Sequence, residues 1–187
     1  MRISAYMTTV LMLLTSTVGF TAENNEFIDD GVEVTASTSL YADAQLSRKH
    51  NLPIMLIFRA DSCAYCVLLE EEIVKPMIRS KEYVDKVIIR TVSIDSSDPI
   101  RDFNNESVDV DDFADDNGVF VTPTIKFFDD KGKELAPRMI GINTIDFYGW
   151  YLDQAIDNSL AMLRSRKNGK VASLSKPGSK PGIKPEL

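Results

Sequence analysis

Two cysteines, three positions apart, stand just after a run of five apolar residues, and the 187-residue chain contains no other cysteine. The run is Ile54-Met55-Leu56-Ile57-Phe58. Its strand length and lack of polar alternation predict a central strand buried on both faces. The pair is Cys63-Ala64-Tyr65-Cys66, and beyond it Leu69, Ile73 and Met77 recur at four-residue intervals around Glu70, Glu71 and Glu72. A helix therefore begins at or just before Cys63, and Pro76 should kink or divide it. A thiol at a helix N-terminus faces unpaired backbone N–H groups and the positive end of the macrodipole, both of which favour its thiolate. The second thiol lies one turn further on, where it can attack a mixed disulfide formed by the first. The pattern reads as a two-electron redox switch.

Other uses of a cysteine pair fit less well. Structural zinc usually takes four Cys or His ligands, and His50 is the only histidine available to add to the pair. Covalent haem attachment needs a histidine after the second cysteine, where Val67 stands. A purely structural disulfide stays open, although so short a loop constrains the unfolded chain little. No metal and no organic cofactor is expected.

Around this centre the chain reads as helices alternating with strands. Ser37-Thr38-Ser39 precedes a short amphipathic helix through Leu40, Tyr41, Ala44 and Leu46, which His50-Asn51-Leu52-Pro53 closes. Val87 to Ile94 reads as a second strand. The Asp- and Asn-rich segment 95–118 has room for a short helix at Val110, Phe113 and Ala114. Thr124 to Phe128, the turn signal Asp129-Asp130-Lys131-Gly132 and a strand around Met139-Ile140 predict a hairpin. A last helix starts near Asn143 or Thr144, its apolar face expected to use Phe147, Tyr151, Leu152, Ala155, Ile156 and Leu163, with Trp150 in the core. This order implies an α/β fold with a central mixed sheet flanked by helices.

The ends differ from the middle. Met1-Arg2, an apolar stretch centred on Val10 to Leu14 and small residues up to Ala22 match a secretory signal peptide over residues 1–22. The stretch is too short and too diluted by Ser and Thr for a lasting membrane span. A folded domain over 23–166 and a flexible basic Pro/Gly/Lys tail over 167–187 complete the expected organisation. The formal net charge of −7 argues against nucleic-acid binding, which needs clustered Lys and Arg to neutralise phosphates. A periplasmic or secreted location follows from the signal peptide.

The strand end Phe58-Arg59-Ala60-Asp61-Ser62 followed by Cys-x-x-Cys, together with Val121-Thr122-Pro123-Thr124 before an apolar strand, resembles the thioredoxin superfamily from about Leu40 to Leu163. Gly141 matches a glycine in that family's last strand region. The resemblance implies a thioredoxin-like fold, with Cys63 as attacking thiolate and Cys66 as resolving thiol. It also implies a cis-proline at Pro123 and backbone hydrogen bonds from Thr122 to an extended substrate strand. Tyr65 between the cysteines and Thr122 before the proline resemble periplasmic disulfide isomerases and reductases, so Tyr65 joins Thr122 and Pro123 as a substrate-binding candidate. Protein thiols or disulfides are the implied substrates, with a redox partner protein.

The chain also departs from the pattern. Thioredoxins proper carry a buried acid six residues before the first cysteine, where Ile57 stands here, and Ser62 and Ala64-Tyr65 replace the usual Trp and Gly-Pro. Proton removal from Cys66 must take another route. Arg59 can stabilise a thiolate if it points inward, and an outward-facing arginine suits the sequence equally. His50 reads as a helix-end residue. The run Asp109, Asp111, Asp112, Asp115, Asp116 lacks the closing Glu of a twelve-residue calcium loop and reads as a solvated acidic loop. The expected activity is thiol–disulfide exchange with proteins outside the cytoplasm, reductase or isomerase in direction. The alternative is a non-enzymatic binding module with a structural disulfide.

Overall fold

The structure, a computed structural model, describes residues 31–167. The signal peptide expected over 1–22 lies outside those residues, as does the tail expected over 167–187 except for Lys167. Among the described residues no helix is long and apolar enough to cross a membrane.

Strand β1 (Ile54–Arg59) is the centre of the fold. Its alternating side chains enter two core layers, as the unbroken apolar run predicts. Ile54, Leu56 and Phe58 pack with Leu40, Val92, Val110, Phe113 and Phe128 on one face. Met55 and Ile57 pack with Leu69, Phe127, Leu152 and Ile156 on the other. Strand β2 (Ile88–Ser93) pairs with β1 in parallel, so the chain between them must cross over the sheet. Strands β3 (Ile100–Arg101) and β4 (Ser107–Val108) form a separate small ribbon within the Asp-rich segment, which the sequence reading did not include. Strand β5 (Thr124–Phe128) pairs antiparallel with β1, and β6 (Glu134–Ile140) pairs antiparallel with β5. The order β2-β1-β5-β6 is the expected mixed sheet. The outer edge of β2 is met by residues 35–37, where Ser37 N–H donates to the Thr91 carbonyl at 2.8 Å and Thr91 N–H to that of Thr35 at 3.0 Å.

Helix α1 (Leu40–His50) starts at Ser39, whose hydroxyl accepts the Ala42 N–H at 3.2 Å, and ends at Asn51 with φ 58°. The helix after the cysteines comes in three parts: α2 (Ala64–Leu69), a π-helical turn over Glu70–Val74, and α3 (Lys75–Ser80). Pro76 thus divides the helix as a change of hydrogen-bond register rather than as a break. Its missing N–H falls in the first turn of α3, where it costs least. Helix α4 (Val110–Asp116) buries Val110, Phe113 and Ala114, and the Phe113 ring stacks on Phe58 with centroids 6.0 Å apart.

Helix α5 (Ile145–Lys167) corrects one expectation. Its buried stripe is Tyr148, Leu152, Ile156, Leu160 and Leu163, whereas Phe147, Trp150 and Tyr151 are mostly exposed. Hydrophobicity alone put the aromatics inward, but the four-residue spacing from Tyr148 to Leu160 sets the true phase. Two substitutions separate the phases. Leu152→Ala should cost about 2–5 kcal/mol, as for a core leucine, and Tyr151→Ala less than about 0.5 kcal/mol. Urea unfolding of both variants reads the difference, and equal losses would restore the original phase.

Candidate active site

Strand β1 delivers the chain to the cysteines through the short loop Ala60–Ser62, and that loop is tied to the neighbouring strand. The Asp61 N–H donates to Asp95 Oδ2 at 2.8 Å, the Ser93 hydroxyl donates to Asp61 Oδ1 at 3.0 Å, and Ile94 N–H donates to the Arg59 carbonyl at 2.8 Å. The end of β2 therefore fixes where the helix can begin. Sequence reasoning missed Ser93 and Asp95, since a polar pair after a strand carries no local signal of this contact.

Cys63 is the N-cap residue of α2, with extended backbone at φ −113° and ψ 97°. It is bonded to Cys66, with Cα atoms 5.2 Å apart. The Cys66 N–H is shared between the Cys63 carbonyl at 3.0 Å and Cys63 Sγ at 3.1 Å, so an amide of the first helical turn is aimed at the sulfur that would carry negative charge after reduction. Cys63 is half-buried, whereas Cys66 is 1% exposed. One sulfur faces incoming molecules and the other faces the core.

The charges nearby are internally matched. Arg59 Nε stands 3.0 Å from Glu70 Oε1 and Nη1 3.9 Å from Asp61 Oδ1. The Glu70 contact is a close ion pair without the alignment of a hydrogen bond, and both side chains are largely shielded. Arg59 thus faces Glu70, one turn beyond Cys66, and its charge is spent on carboxylates. Ile57, where the resembling proteins carry an acid, is 1% exposed and packed in the layer containing Leu69. Apolar packing fills that position.

The second motif arrives at the same end of the sheet. Phe58 pairs with Thr124, so Pro123, just before β5, stands across from the end of β1. The Thr122–Pro123 peptide bond is cis, and Pro123 is buried. Its carbonyl accepts the Gly141 N–H at 2.8 Å, and the Thr124 hydroxyl donates to the Val121 carbonyl at 2.6 Å. Gly141 adopts φ 63° with open space where a Cβ would stand. A groove lined by Ile140, Gly141, Asn143, Phe147 and Tyr151 starts there. Burial pushes the phenol of Tyr148 in its floor up to about 12.

The two motifs leave large apolar side chains exposed. Tyr65 (61% exposed), Val67, Phe120, Val121 and Ile140 all present large side chains to solvent. Thr122 is half-buried. His50 ends α1 in an exposed position at the opposite end of β1, as a helix-end residue should. Asp109, Asp111 and Asp112 bring three exposed carboxylates within 4.8 Å of one another around the start of α4, where acidic residues complement the helix dipole.

A family model described as a thioredoxin-like domain matches residues 40–156. No curated protein matches the chain. Among solved structures, mitochondrial thioredoxin 3 from Saccharomyces cerevisiae, in its oxidised form, is similar at 20% identity, covering 67% of this chain and 94% of that one with a TM-score of 0.46. Thioredoxin O2 from Arabidopsis thaliana, also oxidised, is similar at 21% identity over 64% of this chain and 91% of that one, with a TM-score of 0.45. Fasciola hepatica thioredoxin is similar at 20% identity over 67% and 98%, with a TM-score of 0.46.

The unequal burial of the two sulfurs makes a direct prediction. After reduction, limiting iodoacetamide should alkylate Cys63 faster than Cys66 by more than about tenfold, because attack needs an accessible thiolate. Peptide mass mapping gives the two rates, and equal labelling would contradict the geometry.

Proposed function

This chain belongs to the thioredoxin-like domain family, and from that premise we propose that it is a thiol–disulfide oxidoreductase acting on protein thiols outside the cytoplasm, with reduction or isomerisation as its direction. The observation that carries the reading is the Cys63–Cys66 disulfide at a helix N-terminus, with the Cys66 amide aimed at Cys63 Sγ.

The chemistry balances as two exchanges. The Cys63 thiolate attacks one sulfur of a client disulfide, a new S–S bond forms, and the other client sulfur leaves as a thiolate. Cys66 then loses its proton and attacks Cys63 Sγ, which restores the disulfide seen here and releases the second client thiol. The protein is oxidised by two electrons and the client reduced by two. A redox partner protein must reduce the pair again. Thr122 offers backbone hydrogen bonds to an extended client strand lying next to Pro123, and Tyr65, between the two cysteines in sequence, is exposed.

Direction follows from the acidity of Cys63. The helix terminus should hold its thiol below the free value of about 8.5, but Arg59 is matched by Glu70 and Asp61 and adds little. The glutamates further along the helix are screened, since the Debye length is about 8 Å at physiological salt. A thiol near the strongly oxidising extreme of about 3.5 is not expected. Export is part of the same proposal, with residues 1–22 as a removable signal peptide and 23–166 as the mature domain; N-terminal sequencing of the exported protein checks it.

Trapping tests the roles. Cys66→Ser should accumulate mixed disulfides with client proteins, whereas Cys63→Ser should trap few, as read on non-reducing gels. Equal trapping by the two variants would remove the assignment.

A further inference from the structure

The cis-proline lip, Phe120 to Pro123, is held by a cationic clamp at its base. Helix α4 ends at Asn117 and Gly118, where unpaired carbonyls remain. Lys126 Nζ donates to the Asn117 carbonyl at 2.8 Å, and Arg138 Nη1 donates to the Asn117 carbonyl at 3.0 Å and to that of Gly118 at 2.7 Å. Lys126 lies in the centre of β5 and is 3% exposed. Burial lowers its pKa. Arg138 lies in edge strand β6, where the pairing with β5 slips register between Met139 and Ala136 around Pro137. A bulge of this kind re-aims side chains. Glu134 Oε2 stands 3.5 Å from Lys126 Nζ and 3.9 Å from Arg138 Nη2, holding the two cations together. The fit at Gly118 is close: its φ is +65°, and a Cβ there would lie 2.8 Å from Arg138 Nη1.

The clamp is costly unless it has a use. A lysine so deeply placed loses hydration, and an apolar side chain in the middle of a strand would avoid that loss. What the clamp joins is informative. On one side are the sheet strands β5 and β6. On the other are the two residues from which the chain leaves α4, and two residues later it becomes the exposed pair Phe120 (79% exposed) and Val121. The far end of the lip is tied separately, by the Thr124 hydroxyl and the Gly141 amide.

We propose that Arg138, supported by Lys126, is a positioning residue for polypeptide clients: it fixes the lip Phe120–Pro123 in the register that an extended client backbone must meet. The proposal rests on the thiol–disulfide exchange with proteins argued above. Arg138 touches neither sulfur, so the redox pair itself should not notice its loss.

The test compares a large and a small disulfide. Arg138 is partly exposed, so Arg138→Ala should fold, and a thermal melt checks that it does. Its KM for insulin should rise by about tenfold, because the client must then order a lip that the two lost carbonyl bonds no longer hold. Its kcat, its rate with 5,5′-dithiobis(2-nitrobenzoate) and its reduction potential should match the wild type. Arg138→Lys, which keeps a charged nitrogen with several donors but on a shorter, non-planar side chain, should recover part of the insulin KM. An unchanged insulin KM, or an equal loss toward both disulfides, overturns the proposal. Wild-type protein that reduces the small disulfide but leaves insulin intact overturns the client reading itself, and the role of Arg138 falls with it.

Discussion

Burying β1 on both faces is the constraint from which the reactive end follows. A strand that puts Ile54, Leu56 and Phe58 into one layer and Met55 and Ile57 into the other can sit only inside the sheet. It must therefore have a neighbour on each side. The parallel neighbour β2 requires a crossover, and the chain begins that crossover as a helix directly over the end of the strand. The antiparallel neighbour β5 begins level with that end, so Pro123, just before it, lies at the end of the sheet from which the crossover helix starts. A helix N-terminus and a cis-proline are thus brought together by strand pairing. Side-chain ties then fix each piece in place: Asp61 to Ser93 and Asp95 at the helix start, and Lys126 and Arg138 at the base of the cis-proline lip.

The electrostatics refine this arrangement. The helix terminus acts on Cys63 through an oriented amide, while the one arginine beside the site is compensated by Glu70 and Asp61. What is left to act on the Cys63 sulfur is chiefly the backbone dipole of the helix terminus. The buried acid of the resembling proteins is absent at Ile57, and the partly shielded carboxylates that follow Cys66, Glu70 and Glu71, are paired with Arg59 and Lys75.

The parts of the fold set by short-range pattern were legible in the sequence. The apolar run at 54–58, the serines before Leu40, the hairpin turn and the two motifs each rest on residues close together in the chain. Cys63, Cys66 and the cis bond before Pro123 were located on that basis, with the cis bond coming from the resemblance. What was not legible depends on partners distant in sequence. The ties of Asp61 to Ser93 and Asp95, the pairing of Arg59 with Glu70, and the clamp of Lys126 and Arg138 on Asn117 join segments that only the folded sheet brings together. The phase of α5 failed for a different reason. Phe147, Trp150 and Tyr151 are as apolar as core residues, and their exposure follows from which stripe the sheet leaves room for.

The central claim is that Cys63 and Cys66 are a reversible redox couple and not a staple. Its reduction potential decides this most directly, measured by equilibrating the protein with glutathione or dithiothreitol buffers and counting free thiols. A redox-active pair of the kind described here should fall between about −180 and −270 mV, in the span from disulfide isomerases to thioredoxins. A potential below about −300 mV, the range of structural disulfides in secreted proteins, would contradict the account.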